Sequence, residues 1–336
     1  MKLKAALVTG FFALTAAAAC AQNINGAGAT FPNPIYSKWF SEYNQLHTNV
    51  KINYQSIGSG GGIRQVSEGT VDFGATDGPM SDQQINDAKV KTMHIPTVLG
   101  AVVPVYNLPG VGQELKFSSD VIADIYLGKI TKWNDGRIAK DNAGVNLPDK
   151  SILPVYRSDG SGTTYIFTDF LSKVSSDWNS RVGKSTSVKW PVGIGQKGNE
   201  GVAGMVRQSP YAFGYVELIY AAQNKMQFGL VKNAAGKFVK ASPEGVTAAA
   251  AASAKVIPAD YRVSITNAAG ADSYPISSFT WLLIPLHSTD PAKGKALADF
   301  LTWMLDKGES EAAAMTYAPL PKPIQDRVRA TIKQVK

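Results

Sequence analysis

Apolar positions along the chain fall into two rhythms. Short runs, either continuous or alternating with polar residues, predict strands at Val50–Gln55, from Val71 to the Asp77-Gly78-Pro79 turn, at Ile95–Val105, Ile152–Tyr156, Phe213–Val216 and Ser278–Pro285. Ile24 opens a further strand, and Val188–Val192 reads as extended. Helical spacing links Ile35, Trp39, Phe40 and Tyr43, then Tyr165, Ile166, Phe167, Phe170, Leu171 and Val174. It recurs in Val121–Gly128 and in Pro291–Lys307, through Ala296, Leu297, Phe300, Leu301 and Met304. Ser81 caps a helix after Pro79, the alanine run 247–254 favours helix, and a last helix starts near Pro323. Residues 134–150 read as loop.

Strands alternating with helices predict an α/β protein. The two long apolar strands, near 95–105 and 278–285, divide the chain. They predict one lobe of 22–98 plus 272–336 and another of 99–271, with a ligand cleft between lobes joined by two crossing strands.

Three strand-to-helix turns share a design. They are Gly26-Ala27-Gly28-Ala29-Thr30-Phe31-Pro32, Gly58-Ser59-Gly60-Gly61-Gly62 and Arg157-Ser158-Asp159-Gly160-Ser161-Gly162-Thr163. Each places small residues and a hydroxyl before a helix. A helix start has unpaired N–H groups and the positive end of the macrodipole, so it suits an anion. Arg157 adds a planar fork matched to a tetrahedral oxyanion, with Asp159 close enough to hold it. Ordinary Asp-Gly turn chemistry, a helix-capping Ser59 and a turn-forming Asp77 would account for the same residues one at a time.

Composition narrows the classes. With 336 residues the chain is long enough for two cores. The formal net charge of +8 includes Lys2 and Lys4 of a predicted leader, leaving about +6. No dense basic run interleaved with aromatics points to nucleic acid. Residues 1–21 read as an export signal: Lys2 and Lys4, an apolar Leu7–Leu14, then Ala19-Cys20-Ala21. Cys20 is the only cysteine, and lipid anchoring through it is the alternative to release after Ala21. The body therefore has no disulfide and no thiolate metal site. His47, His94 and His287 lack metal-ligand spacing, and neither Ser59 nor Ser161 sits in a nucleophile elbow. The glycine turns read as binding elements, with no catalytic set, no cofactor and no metal.

Together with Val71-Asp72-Phe73-Gly74-Ala75-Thr76-Asp77, the three turns resemble the phosphate-binding protein of bacterial high-affinity phosphate ABC transporters. Ile125-Tyr126-Leu127-Gly128-Lys129-Ile130 with Trp133, and Lys189-Trp190-Pro191 before a glycine loop, extend the resemblance over nearly the whole mature chain. It implies a two-lobe periplasmic binding protein fold of type II and a periplasmic location. It implies a free monomer that delivers phosphate to a complex of two permeases and an ATPase dimer. It also implies the ligand set. Thr30 and the Phe31 N–H act from the first helix start, Ser59 from the second, and Ser161, the Gly162 N–H and Thr163 from the third. Arg157 is oriented by Asp159, and Asp77 accepts the phosphate proton. Gly60 and Thr76 stand where serine is common. A carboxylate only accepts hydrogen bonds, so Asp77 favours an anion that keeps a proton near neutrality over sulfate. Another oxyanion, a secreted phosphatase on the same lobes, or a scavenger without a transporter are the competing readings.

Overall fold

The structure is a computed structural model describing residues 22–335; the predicted leader, with Cys20, lies outside them. The chain opens with β1 (Gln22–Gly28), α1 (Asn33–Leu46), β2 (Val50–Ser56), α2 (Ser59–Glu68), β3 (Phe73–Thr76) and α3 (Asp82–Asp87). Then comes the long β4 (Thr92–Tyr106), followed by β5 (Lys116–Phe117), α4 (Ser119–Tyr126), α5 (Gly136–Asp141), β6 (Leu153–Arg157), α6 (Gly162–Val174) and α7 (Ser176–Arg181). The next elements are β7 (Ile194–Gln196), α8 (Gly198–Gln208), β8 (Ala212–Glu217), α9 (Leu218–Gln223), β9 (Gln227–Phe228), β10 (Leu230–Lys232) and β11 (Phe238–Val239). The chain closes with α10 (Pro243–Ser253), β12 (Ser277–Pro285), α11 (Pro291–Asp306) and α12 (Lys322–Ile332).

The main sheet runs β2-β1-β3-β12-β4-β8-β6-β7, with β9 also on β4. A small sheet joins β11, β10 and β5. β1 pairs in parallel with β2 and β3, and β6 pairs in parallel with β7 and β8. β4 serves both halves. Its residues Thr92–Ala101 pair with β12, and Val102–Tyr106 pair with β8. Its burial on both faces explains why residues 95–105 do not alternate; Thr97, the one polar side chain in that run, is buried with its hydroxyl bonded to Tyr36 and the Thr280 carbonyl. β12 lies wholly in the first half, where it is covered by β3 and β4. The return between halves is made just before it: Val102 N–H donates to the Ile276 carbonyl (2.9 Å), and the Tyr274 hydroxyl donates to the Val102 carbonyl (2.9 Å). The result is the two-lobe fold, each half with parallel strands and covering helices.

Apolar spacing built the helices. α1 buries Ile35, Tyr36, Trp39, Phe40 and Tyr43, with Phe40 and Tyr43 packed edge or tilted against Phe300 of α11 at 5.2 and 5.3 Å. α3 begins with the full capping box of Ser81 and Gln84. Two sequence expectations differ. Residues 134–150 contain α5, started by Asp135, whose Oδ1 accepts from the Arg137 N–H (2.9 Å); its single buried apolar residue, Ile138, leaves almost no periodicity to read. Val188–Val192 forms no strand; Trp190 is instead laid flat on Tyr156 at 5.1 Å.

Residues 257–262 fold back onto the first half. The Tyr261 carbonyl accepts from the Trp281 indole (3.1 Å), and Arg262 donates to the Met80 carbonyl (3.0 Å) and to Asp82 (2.7 Å). Ser264 and Thr266 then donate to Asp169 of α6 on the other half, each at 2.5 Å.

Candidate anion-binding site

The predicted site residues collect at the carboxyl ends of parallel strands, where open α/β sheets leave a crevice. Thr30 and Phe31 follow β1, Ser59 follows β2 and Asp77 follows β3. Across the cleft, Arg157 ends β6, and Ser161, Gly162 and Thr163 follow it. The fold brings all eight together, and all are buried.

Three tyrosines aim the first turn. Tyr54, Tyr220 and Tyr317 donate their hydroxyls to the carbonyls of Ala29 (2.7 Å), Thr30 (2.5 Å) and Phe31 (2.6 Å). Across a trans peptide the next N–H points opposite its carbonyl. Fixing the Ala29 and Thr30 carbonyls therefore turns the N–H groups of Thr30 and Phe31 the other way.

The second and third helix starts abut. Gly58, at φ 93°, caps α2 and takes the place expected for Ser59, which is the first helical residue. A side chain at Gly58 would be strained by that φ, and its Cβ would lie 2.5 Å from Asp159 Oδ2. Ser59 Oγ is occupied elsewhere: it accepts from the N–H of Asp77 (3.2 Å) and from the N–H of Gly162 in the other half (3.0 Å). The Gly60 N–H donates to the Gly160 carbonyl (2.9 Å) beside it. At the start of α6, Ser161 Oγ accepts from the Thr164 N–H (3.0 Å), leaving its own proton to donate.

Arg157 and Asp159 meet fork to fork: Nε donates to Oδ1 at 2.7 Å and Nη2 to Oδ2 at 2.5 Å. Burial works to raise the Asp159 carboxyl, but the bonds and charge of Arg157 and the Gly198 N–H hold it below the usual carboxylate range. The remaining arm of the guanidinium, Nη1, donates to Thr163 Oγ1 (3.3 Å). Asp77 has the opposite balance. Burial raises its pKa to about 7, against the Thr280 hydroxyl bonded to Oδ1 (2.8 Å), the Arg157 charge and Ser59.

Two buried residues were not singled out by sequence. Asn199, at the start of α8, donates Nδ2–H to Thr30 Oγ1 (2.8 Å) and Thr163 Oγ1 (3.1 Å). Glu217 accepts from the Ile219 N–H (2.7 Å) and so starts α9; burial drives its carboxyl well above the ordinary range. The sequence reads as a glycine-rich loop at 193–204 running into a helix start near Asn199, where α8 does begin, but it gives Asn199 no role at the site. A cavity of about 220 Å³ reaches Thr30 and Asp159 past Lys197 and Glu200. A larger groove of about 730 Å³, between Met80, Lys184 and Arg262, holds none of these ligand candidates.

His94 is a satisfied polar residue, its Nε2 accepting from the Met80 N–H (3.1 Å). No group of three His, Cys, Asp or Glu side chains among the described residues could hold a metal ion.

Comparison with known proteins identifies the family. The model of the PBP superfamily domain matches residues 14–307. The phosphate-binding protein PstS of Pasteurella multocida is 46% identical over 334 residues, covering 99% of this chain and 96% of that protein. The protein of that name from Methanocaldococcus jannaschii is 40% identical over 323 residues, covering 90% and 83%. Among solved structures, the phosphate-bound, high-affinity periplasmic phosphate-binding protein PfluDING superposes with a TM-score of 0.73 at 21% identity, covering 92% of this chain and 93% of that one. The phosphate-binding protein of Stenotrophomonas maltophilia gives 0.69 at 22% identity, covering 92% and 94%. These two likenesses bear on the fold. The family model and the sequence identities to the relatives place the chain in the PBP superfamily, as a member of the PstS family of phosphate-binding proteins.

Proposed function

We propose that this protein binds one inorganic phosphate between its lobes and delivers it to an ABC-type permease for import. The observation that carries the reading is the meeting of two helix starts at Ser59 and Gly162, beside a buried Arg157 fork and a buried Asp77. Such a site offers many fixed donors and one titratable acceptor. Phosphate is held by the Thr30 and Phe31 N–H groups with the Thr30 hydroxyl, by Ser59, by Arg157 steadied through Asp159, and by Ser161, Gly162 and Thr163. The Gly162 N–H, given to Ser59 in this structure, exchanges that partner for a phosphate oxygen. Fixed N–H dipoles balance the buried charge. Charge-assisted hydrogen bonds contribute about 1.5–3 kcal/mol each, so several suffice for tight binding after ordering costs.

Asp77 and the phosphate share one proton. Sulfate brings none, and above pH 7 it meets carboxylate lone pairs with its own. We place lobe I at 22–98 with 272–336 and lobe II at 99–271, with 257–262 folding back onto lobe I. The protein works in the periplasm as a free monomer and docks on a complex of two permeases and an ATPase dimer. It carries ligand and performs no chemistry.

The test is isothermal titration of stripped protein lacking residues 1–21, with phosphate and then sulfate, slightly above neutral pH. Tight one-to-one phosphate binding without a sulfate signal is expected. Binding of neither anion would return the three turns to structural roles. Equal binding of both would keep the cleft and remove the proton-reading role of Asp77.

A further inference from the structure

We infer that Asn199 is a positioning residue that fixes the direction of two ligand-binding hydroxyl protons, one from each lobe; the inference rests on the phosphate-binding reading above. A threonine hydroxyl has one proton and two acceptor sites. Thr30 Oγ1 accepts twice from Asn199, from Nδ2–H at 2.8 Å and from the backbone N–H at 3.3 Å. Thr163 Oγ1 accepts from the same Nδ2 at 3.1 Å and from Arg157 Nη1 at 3.3 Å. Both acceptor sites on each oxygen are therefore filled by groups that can only donate. Among the described residues, neither hydroxyl has a protein acceptor for its own proton. Each proton is left to donate into the cleft.

The amide orientation is itself determined. Asn199 Oδ1 accepts from the Glu217 backbone N–H at 3.0 Å, and a backbone N–H cannot accept. The nitrogen must face the two threonines. Asn199 is fully buried, so water does not compete for these bonds. Thr30 lies in the first half and Thr163 in the second, and Asn199 bridges them at separations of 169 and 36 residues. A single amide thus makes both halves present donors to one anion. In chemical terms, it turns two hydroxyls of either polarity into obligate donors, which suit a ligand rich in acceptors and disfavour a cation.

Asn199→Asp keeps the shape and the Glu217 bond but replaces the donor with an acceptor. Both hydroxyl protons then turn toward the introduced carboxylate, and their lone pairs face the phosphate. Phosphate affinity is expected to fall on the order of 10³-fold or more. Asn199→Ala only releases the hydroxyls, with an expected loss of about 3- to 30-fold.

The decisive readout is coupling to Thr163→Val, measured by phosphate titration in three backgrounds. With Asn199 present, removing the Thr163 hydroxyl removes a donor and weakens binding by about 10- to 100-fold. In the Asn199→Asp background it removes a misdirected lone pair, so the same change costs nothing or restores affinity. In the Asn199→Ala background its cost shrinks at least about threefold, and this arm decides the matter if Asn199→Asp does not fold. A purely structural Asn199 would leave the cost of Thr163→Val equal in every background, and that result overturns the inference alone. A wild-type protein that binds no phosphate removes the functional reading, and this inference with it.

Discussion

Thr280 donates its hydroxyl to Asp77 Oδ1 across 2.8 Å, from a strand 203 residues away. That bond commits one carboxylate oxygen to β12 and leaves Oδ2 on the side of Ser59 and Gly162. It also opposes the burial that lifts the Asp77 pKa to about 7. Thr280→Val should therefore raise that pKa further and leave Asp77 largely protonated at neutrality. Carbon-detected NMR of the Asp77 carboxyl in stripped protein would follow the shift. A pKa unchanged or lower in the variant would mean that Thr280 does not set the charge of this group.

Gly162→Ala probes the meeting of the lobes. A Cβ there would lie 2.5 Å from Asp77 Oδ2 and 2.6 Å from Asp77 Cβ, both contacts from the opposite half. The clash disappears if the halves separate, so the folded lobes need not suffer. The expected outcome is a loss of phosphate affinity of at least about 100-fold, with a melting temperature of the stripped protein within about 2 °C of wild type. Normal affinity would show that the two helix starts need not touch when ligand is held.

Much of the candidate anion site was legible because its parts are local. A strand, a glycine turn and a helix with a hydroxyl at its start can be read within ten residues, and the fold carries three such turns to one crevice. Arg157 and Asp159 are two residues apart, so their pairing was also within reach of the sequence. Asn199 was not: the partners that give it meaning are the hydroxyls of Thr30 and Thr163 and the Glu217 N–H, none of them its neighbours in the chain. The same holds for the tyrosines behind the first turn, where Tyr317 reaches Phe31 across 286 residues. In the fold, the long strands were visible as apolar runs. The exact return crossing was not, since an apolar run says that a strand is buried without saying which strands bury it. α5 escaped notice because one buried isoleucine makes no periodic face.

Glu309 offers a stability test away from the cleft. It is buried, with Oε2 accepting from the Leu320 N–H (3.0 Å), and burial raises its pKa to about 8 against that bond. Unfolded, the group titrates near its ordinary value, ~4.3. Its raised folded pKa favours the native state fully below that value, and this contribution is lost as pH rises through about 8. Glu309→Gln should therefore melt a few degrees (~3 °C) above wild type at about pH 9 and match it near pH 4. Thermal scans showing the same difference at both pH values would rule out an ionisation effect.

Sulfate rejection should itself depend on pH, with a sign fixed by Asp77. Above its pKa of about 7, the carboxylate offers only lone pairs, and fully ionised sulfate is repelled. Below it, the protonated carboxyl can donate to a sulfate oxygen, and the surrounding donors serve either anion. Sulfate affinity of the wild-type protein should therefore tighten by roughly tenfold per pH unit as pH falls toward about 7, and level off below it. Asp77→Asn donates at every pH, so this variant should bind sulfate already at about pH 8 and lose most of the pH dependence. Calorimetry of both proteins with sulfate at several pH values separates the possibilities. No sulfate binding by Asp77→Asn would sink the proton-reading role. A parallel pH dependence in wild type and variant would move that role to another group, with the buried Glu217, which faces Asp77 electrostatically, as the next to substitute.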